Sequence, residues 1–338
     1  MTTHTSTESC LIIQSKERII TVEDWNGLRS CTYYFWSSVK DTFFFVKRLV
    51  LSFKHPLQAL KTLFTSPIIC CFIFMIICGL LNGLSISFAQ EFQRQWYRSH
   101  PTVHFKEFVL DDLLFFVFSF RDLIGFADKY LGFLVVVMVF RFLLCKGRLI
   151  VLRRFVTLMG VMFLMRIICV YMTLLNDPSI NYSTATGNPL VESFLISGGI
   201  HVSTVDKMFS GHTGSITLTG MFLIYYHDQY PIFHSKRLHY SLSLTFKIIV
   251  LLYVACGLCL FTIVRIHYTS DVFVGLILAS TIFCLYHSYI PLAQTKNNIF
   301  NCILCWIEQD ADDIPKIQFI KQEPIQNNTT LLESIELE

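Results

Sequence analysis

An all-α polytopic membrane protein with six transmembrane helices and both termini cytosolic is the fold class that this sequence predicts. Three observations carry that prediction: an apolar composition, six long apolar runs, and a lopsided placement of Lys and Arg. Of the 338 residues, 53% are hydrophobic and only 15% are charged, against roughly 25% charged in an average soluble domain. The runs lie at about 66–88, 130–146, 155–175, 209–227, 246–265 and 269–290, each near the length that a helix needs to cross a bilayer. The shorter run LLFFVFSF at 113–120 cannot span and reads as an interfacial or re-entrant piece.

Cytosolic loops are enriched in Lys and Arg. Lys47, Arg48, Lys54 and Lys61 precede the first run, and Arg141, Lys146, Arg148, Arg153 and Arg154 separate the second from the third. Lys236, Arg237 and Lys247 lie between the fourth and fifth. The opposite loops are poorer: 176–208 holds only Lys207, and in 89–112 three cations are balanced by four acids. All three richer segments fall on one side, which puts both ends of the chain in the cytosol. The organisation expected is a cytosolic segment 1–62, a catalytic membrane domain 63–292 and a disordered cytosolic tail 293–338. Nothing in the first 60 residues reads as a cleavable signal peptide.

The twelve cysteines do not suggest a disulfide framework, since Cys70, Cys71, Cys78, Cys169, Cys256, Cys259 and Cys284 lie within apolar runs, where Cys behaves as a small hydrophobe. Cys256 and Cys259 form a CxxC without a His, Asp or second Cys pair nearby, so no metal is expected. Cys302 and Cys305, just beyond the last run, are candidates for palmitoylation. Asn181 opens a sequon in a non-cytosolic loop and is a candidate for glycosylation.

The chemistry concentrates at two places. Ser210-Gly211-His212-Thr213 stands where apolar sequence resumes, and His267 with Asp271 opens the last run. Under the assigned orientation both lie at non-cytosolic ends of their helices and can share one interfacial pocket. Ionisable groups in apolar spans are costly and mark function. At i, i+4 on one helical face, the Asp271 carboxylate could orient the His267 imidazole, leaving His267 to act as nucleophile or base. His212, beside a helix N-terminus and a Gly, suits a phosphate oxygen and a departing alkoxide. His201, His227, His234 and His239, at loops or borders, read as structural.

These residues resemble a known family. SGHT followed by HYTSD is similar to the type 2 phosphatidic acid phosphatase superfamily, and within it to the sphingomyelin synthase family. The family pattern H-Y-T/S-x-D-V, followed by F-x-x-Y-H, is matched by His267, Tyr268, Thr269, Asp271, Val272, Phe283, Tyr286 and His287. Leu276 stands where an aromatic or Ile is usual, and Thr204-Val205 replaces the Cys-Gly of the earlier motif, of which Asp206 and Ser210 to Thr213 match. The Lys-x6-Arg-Pro clamp of the superfamily's classical phosphatases is absent, and Phe261 and Leu260 precede His267 where those enzymes carry Ser-Arg.

The resemblance implies transfer of phosphocholine from phosphatidylcholine to the primary hydroxyl of ceramide, giving sphingomyelin and diacylglycerol through a phospho-histidine. Ethanolamine or inositol head groups, or lipid phosphate hydrolysis, are the alternatives. His212, His267 and Asp271 would be catalytic, with Arg166, Arg265, Lys207, Asp206 and Ser210 as candidates to bind the substrate phosphate. A phosphodiester carries one negative charge, so fewer cations are needed than for a monoester. Implied partners are the lipid substrates and the bilayer, with no cofactor and no nucleic acid, and a homo-oligomer is compatible. The implied location is the Golgi or the plasma membrane, with the site on the lumenal or extracellular side. Glu192, in the loop ahead of His212, is an acid for which spacing supplies no role.

Overall fold

The structure is a computed structural model that describes residues 36, 40, 43, 47, 66–100, 111–118, 124–143, 148–172, 188–197, 208–227, 236–293 and 299–308. The helices among them are α1 (Pro67–Ser99), α2 (Leu113–Val117), α3 (Ile124–Leu143), α4 (Arg148–Met172), α5 (Pro189–Ser197), α6 (Gly211–His227), α7 (Lys236–Ile263), α8 (Thr269–Ala293) and α9 (Ile299–Ile307). No strand occurs among the described residues. Each expected apolar run therefore falls on a helix, and four helices are long and apolar enough to cross a membrane: α1, α4, α7 and α8.

The two others miss that standard for readable reasons. Helix α3 carries Asp128, Lys129 and Arg141, and α6 has only 17 residues. Helix α6 is also the most enclosed element, with Ile216, Leu218 and Phe222 fully buried and Leu223 and Tyr226 nearly so. A helix surrounded by protein need not present an apolar surface to lipid. Its small residues let neighbours approach, as is usual between membrane helices. A Cβ on Gly220 would lie 2.5 Å from Val254 Cγ2 of α7, and one on Gly257 of α7 would lie 2.9 Å from the Tyr130 ring of α3. Tyr130 and Tyr253 stack at 4.0 Å, and each hydroxyl donates to the other residue's carbonyl at 2.8 Å.

Residues 89–99, expected in a loop, instead continue α1 to Ser99. The extension is polar (QEFQRQWYRS) and is braced by an Arg94–Glu91 pair at i, i+3. At 1.5 Å per residue, 33 residues span about 50 Å, well beyond the ~30 Å hydrocarbon core. The short helix α5 lies along α1, where the Ser87 hydroxyl donates to the Pro189 carbonyl at 2.8 Å. A Cβ on Gly83 would sit 2.8 Å from the Ser193 carbonyl oxygen. Glu192 is buried in that contact, away from solvent and on the α1 side of the bundle.

The 113–120 run yields the five-residue helix α2, whose N-cap Asp112 accepts from the Leu114 N–H at 3.0 Å. Within the region expected as a tail, residues 299–307 form α9. Residues 1–35 of the N-terminal segment and 309–338 of the tail lie outside the described residues, as does Asn181.

Candidate active site

Helices α6 and α8 meet at their N-termini. The Ser210 N–H donates to the Asp271 carbonyl at 3.3 Å, and a Cβ on Gly275 would lie 3.1 Å from both the Ser210 carbonyl oxygen and the Thr213 side chain. The partial positive ends of two helices thus converge, an arrangement that favours an anion between them. The two motifs 55 residues apart are brought together as the sequence led one to expect: the His212 and His267 ring centroids are 5.8 Å apart, with planes at 57°.

Each His follows a bulky residue in the left-handed region, Phe209 at φ 61° and Arg265 at φ 59°. Non-glycine residues rarely adopt this conformation, and at functional sites it persists only where surrounding contacts enforce it. Around Arg265 those contacts form a Schellman motif that ends α7. The Ile266 N–H donates to the Phe261 carbonyl at 3.2 Å and the Arg265 N–H to the Thr262 carbonyl at 2.9 Å. Such a position is usually Gly. Here the Arg265 side chain turns toward α2, donating to the Phe115 carbonyl at 2.7 Å and lying 5.0 Å over the Phe115 ring.

Ser210 is the N-cap of α6, its Oγ accepting from the Thr213 N–H at 3.1 Å. His212 follows in the first turn, so the Ser-Gly-His order supplies a cap, a close approach and an imidazole in succession. The close approach is to Arg166 of α4: a Cβ on Gly211 would lie 2.8 Å from the guanidinium carbon. Only glycine leaves room for that cation beside His212.

The His267–Asp271 relation differs from the expected helical face. Helix α8 begins at Thr269, so His267 sits in the preceding turn, held by its N–H to the Phe261 carbonyl at 3.3 Å. Asp271 reaches back to the start of α8, as the acidic half of a capping box does. Its Oδ2 accepts from the Tyr268 N–H at 3.1 Å, and its own N–H donates to the Tyr268 carbonyl at 3.1 Å. His267 and Asp271 are buried, at 2% and 0% exposure, in the same turn. The carboxylate therefore fixes the backbone next to the imidazole. Asp112 adds a second brace, accepting from the Thr269 N–H at 2.6 Å and the Thr269 hydroxyl at 2.8 Å.

One partner was not foreseen. His212 Nε2 lies 2.9 Å from Asp128 Oδ1 of α3. With that carboxylate ionised, Nε2 carries the proton and donates it, so Nδ1 is the nitrogen left to take or give one. Nδ1 is buried and has no hydrogen-bond partner among the described residues. Asp128 lies just outside the apolar stretch 130–146. Residues 84 apart in a chain give no spacing signal, and only an acid at the edge of an apolar run hinted at Asp128.

Of the phosphate-binding candidates, Arg166 and Ser210 lie beside His212, while Arg265 is engaged by α2. Asp206 and Lys207 lie outside the described residues.

A membrane helix bundle carrying two imidazoles at converging helix N-termini matches a known class. Residues 205–288 match the model of the PAP2 superfamily C-terminal family. The chain is also similar to human sphingomyelin synthase-related protein 1, 25% identical over 259 residues, covering 72% of this chain and 56% of that protein. Similarity to human phosphatidylcholine:ceramide cholinephosphotransferase 2 is 29% over 170 residues, 46% of this chain and 42% of the relative. To the rat phosphatidylcholine:ceramide cholinephosphotransferase 1 it is 25% over 250 residues, 70% of this chain and 53% of the relative. The chain thus spans about half the length of the curated relatives it matches. Motifs and comparisons agree: the chain is similar to the sphingomyelin synthase proteins, and its residues 205–288 match the PAP2 superfamily C-terminal model.

Proposed function

We propose that the protein is a lipid phosphotransferase that moves phosphocholine from phosphatidylcholine to ceramide. The observation that carries this reading is the pair of imidazoles 5.8 Å apart, with His212 Nδ1 buried and unmet by any described residue. The relatives named as cholinephosphotransferases support the choice of donor and acceptor.

In the reaction, an imidazole nitrogen of His267 attacks phosphorus, and the P–O bond to diacylglycerol breaks as the P–N bond forms. Nδ1 of protonated His212 gives its proton to the departing oxygen, while Asp128 stabilises the imidazolium and holds the tautomer. The ceramide hydroxyl then attacks phosphorus, Nδ1 of His212 takes its proton, and the P–N bond breaks to release sphingomyelin. Asp271 keeps the His267 turn in place. The guanidinium of Arg166 and the two helix N-termini balance the phosphodiester charge. Choosing an alcohol over water requires a site that excludes water, which a site opening to lipid between α6 and α8 would supply.

On this reading α3 and α6 complete six spans. Both termini face the cytosol, and the site opens to the lumen or cell exterior, in the Golgi or at the plasma membrane. The test is a transfer assay in membranes with fluorescent ceramide and either phosphatidylcholine or phosphatidylethanolamine as donor. Sphingomyelin that is absent from the His267→Ala protein is the expected result. Ceramide phosphoethanolamine alone would change the donor, and phosphate released from a lipid phosphate, with no transfer, would overturn the reading.

A further inference from the structure

The family-like motif residues Phe283, Tyr286 and His287 take no part in the chemistry above, because they lie at the far end of α8. There they belong to a second buried cluster. Arg154 of α4 donates through Nε to both Glu308 carboxylate oxygens at 3.0 Å, and Nη2 contacts Glu308 as well. Its Nη1 donates to the Tyr226 hydroxyl at 2.8 Å. That hydroxyl donates onward to His287 Nε2 at 2.8 Å, and His287 Nδ1 donates to the Phe283 carbonyl at 2.8 Å. The Tyr286 hydroxyl donates to Glu308 Oε1 at 2.7 Å, and Tyr289 donates to Asn301 of α9 at 2.8 Å. Arg154 and Glu308 are 7% and 9% exposed, and Asn301 and Leu304 bury the same face of α9.

The cluster joins four elements at one end of the bundle. Tyr226 is next to last in α6, whose first turn carries His212. Tyr286 and His287 sit two turns from the end of α8, which starts two residues after His267. We infer that α9 is a clamp: through Glu308 it locks the distal ends of α6 and α8 against α4 and so sets the separation of the two imidazoles at the opposite end. Arg154 and Glu308 are positioning residues for the reaction, and this inference rests on the proposed function. Removing one partner of a buried pair leaves an uncompensated charge, so loss of the Glu308 carboxylate frees α9. Helices are rigid over the 17 residues of α6, and small displacements at a reacting pair are costly, about 10²-fold for ~1 Å.

Three readouts test the clamp. Docking is read by maleimide labelling of Leu304→Cys in a chain that also carries Cys302→Ser and Cys305→Ser. The site is read by oxidative cross-linking of His212→Cys with His267→Cys, which needs no activity. Catalysis is read by transfer to ceramide. Glu308→Gln is expected to raise labelling at 304, to slow cross-linking, and to lower kcat roughly tenfold with KM for ceramide within about twofold. Tyr286→Phe, which deletes a single hydroxyl, moves each readout the same way by less and serves if Glu308→Gln does not fold. Labelling unchanged by either variant would overturn the clamp. So would a freed α9 with cross-linking and kcat unaltered. If the unaltered chain transfers no head group from any donor, the proposed function fails, while labelling and cross-linking still decide the clamp.

Discussion

The two ends of the α6–α8 pair are built on opposite principles. At the end bearing Arg154, Tyr226, His287, Tyr286 and Glu308, the charges and hydroxyls answer one another in a chain of hydrogen bonds. At the other end His212 Nδ1 is buried without a partner among the described residues, two residues hold left-handed backbone, and Asp128 is largely exposed. A buried polar network that is fully satisfied rigidifies. A buried polar atom left unmet calls for another explanation, and a reactive role is one. Similar residue types, His, Asp or Glu and Arg, thus recur at both ends, and one difference between them is the buried His212 Nδ1 that no described residue meets.

The sharpest break of that contrast is at the proposed nucleophile. His267→Ala is expected to lower transfer by about 10³-fold or more, since the covalent path is lost while the rest of the site stands; the assay in membranes checks it against unchanged expression. Gly211→Ala comes next. Its methyl group displaces Arg166, and a fall of roughly 10²-fold in kcat is expected from a misplaced charge beside His212. Gly211→Ala combined with Arg166→Ala should then be no worse than Arg166→Ala alone, a double-mutant cycle that isolates the contact.

Asp128→Asn keeps the shape and removes the charge that stabilises the His212 imidazolium. A loss of about tenfold to 10²-fold in kcat with little change in KM is expected, as for a group acting on a general acid–base. An unchanged kcat would make Asp128 an incidental surface contact. The smallest effect is at the brace. Asp112→Ala removes the cap of α2 and two bonds to Thr269, at a cost of about 1 kcal/mol in stability, read as a lowered Tm in detergent.

The sequence made much of the active end legible and little of the other. Apolar runs located the helices, and the SGHT and HYTSD stretches located both imidazoles, because reactive groups at span ends stand out against apolar surroundings. What stayed hidden depends on tertiary approach. Asp128 reaches His212 across 84 residues, and Glu308 reaches Arg154 across 154. The positive charges Arg141, Arg153 and Arg154, counted as loop residues in fixing orientation, are buried within α3 and α4, so charge placement alone did not distinguish an interfacial anchor from a network member. The Schellman end of α7 was equally silent, since it carries Arg265 where glycine would have announced a turn. The spacing put His267 and Asp271 on one helical face, whereas α8 starts two residues later than that relation requires.

The most direct test is to trap the covalent intermediate. Phosphatidylcholine labelled in its phosphocholine group would be incubated with the membrane-bound protein in the absence of ceramide. Acid-labile label is expected on the protein, absent from His267→Ala and chased into sphingomyelin when ceramide is added. Label that persists in His267→Ala, or transfer that proceeds without it, would contradict nucleophilic attack by His267.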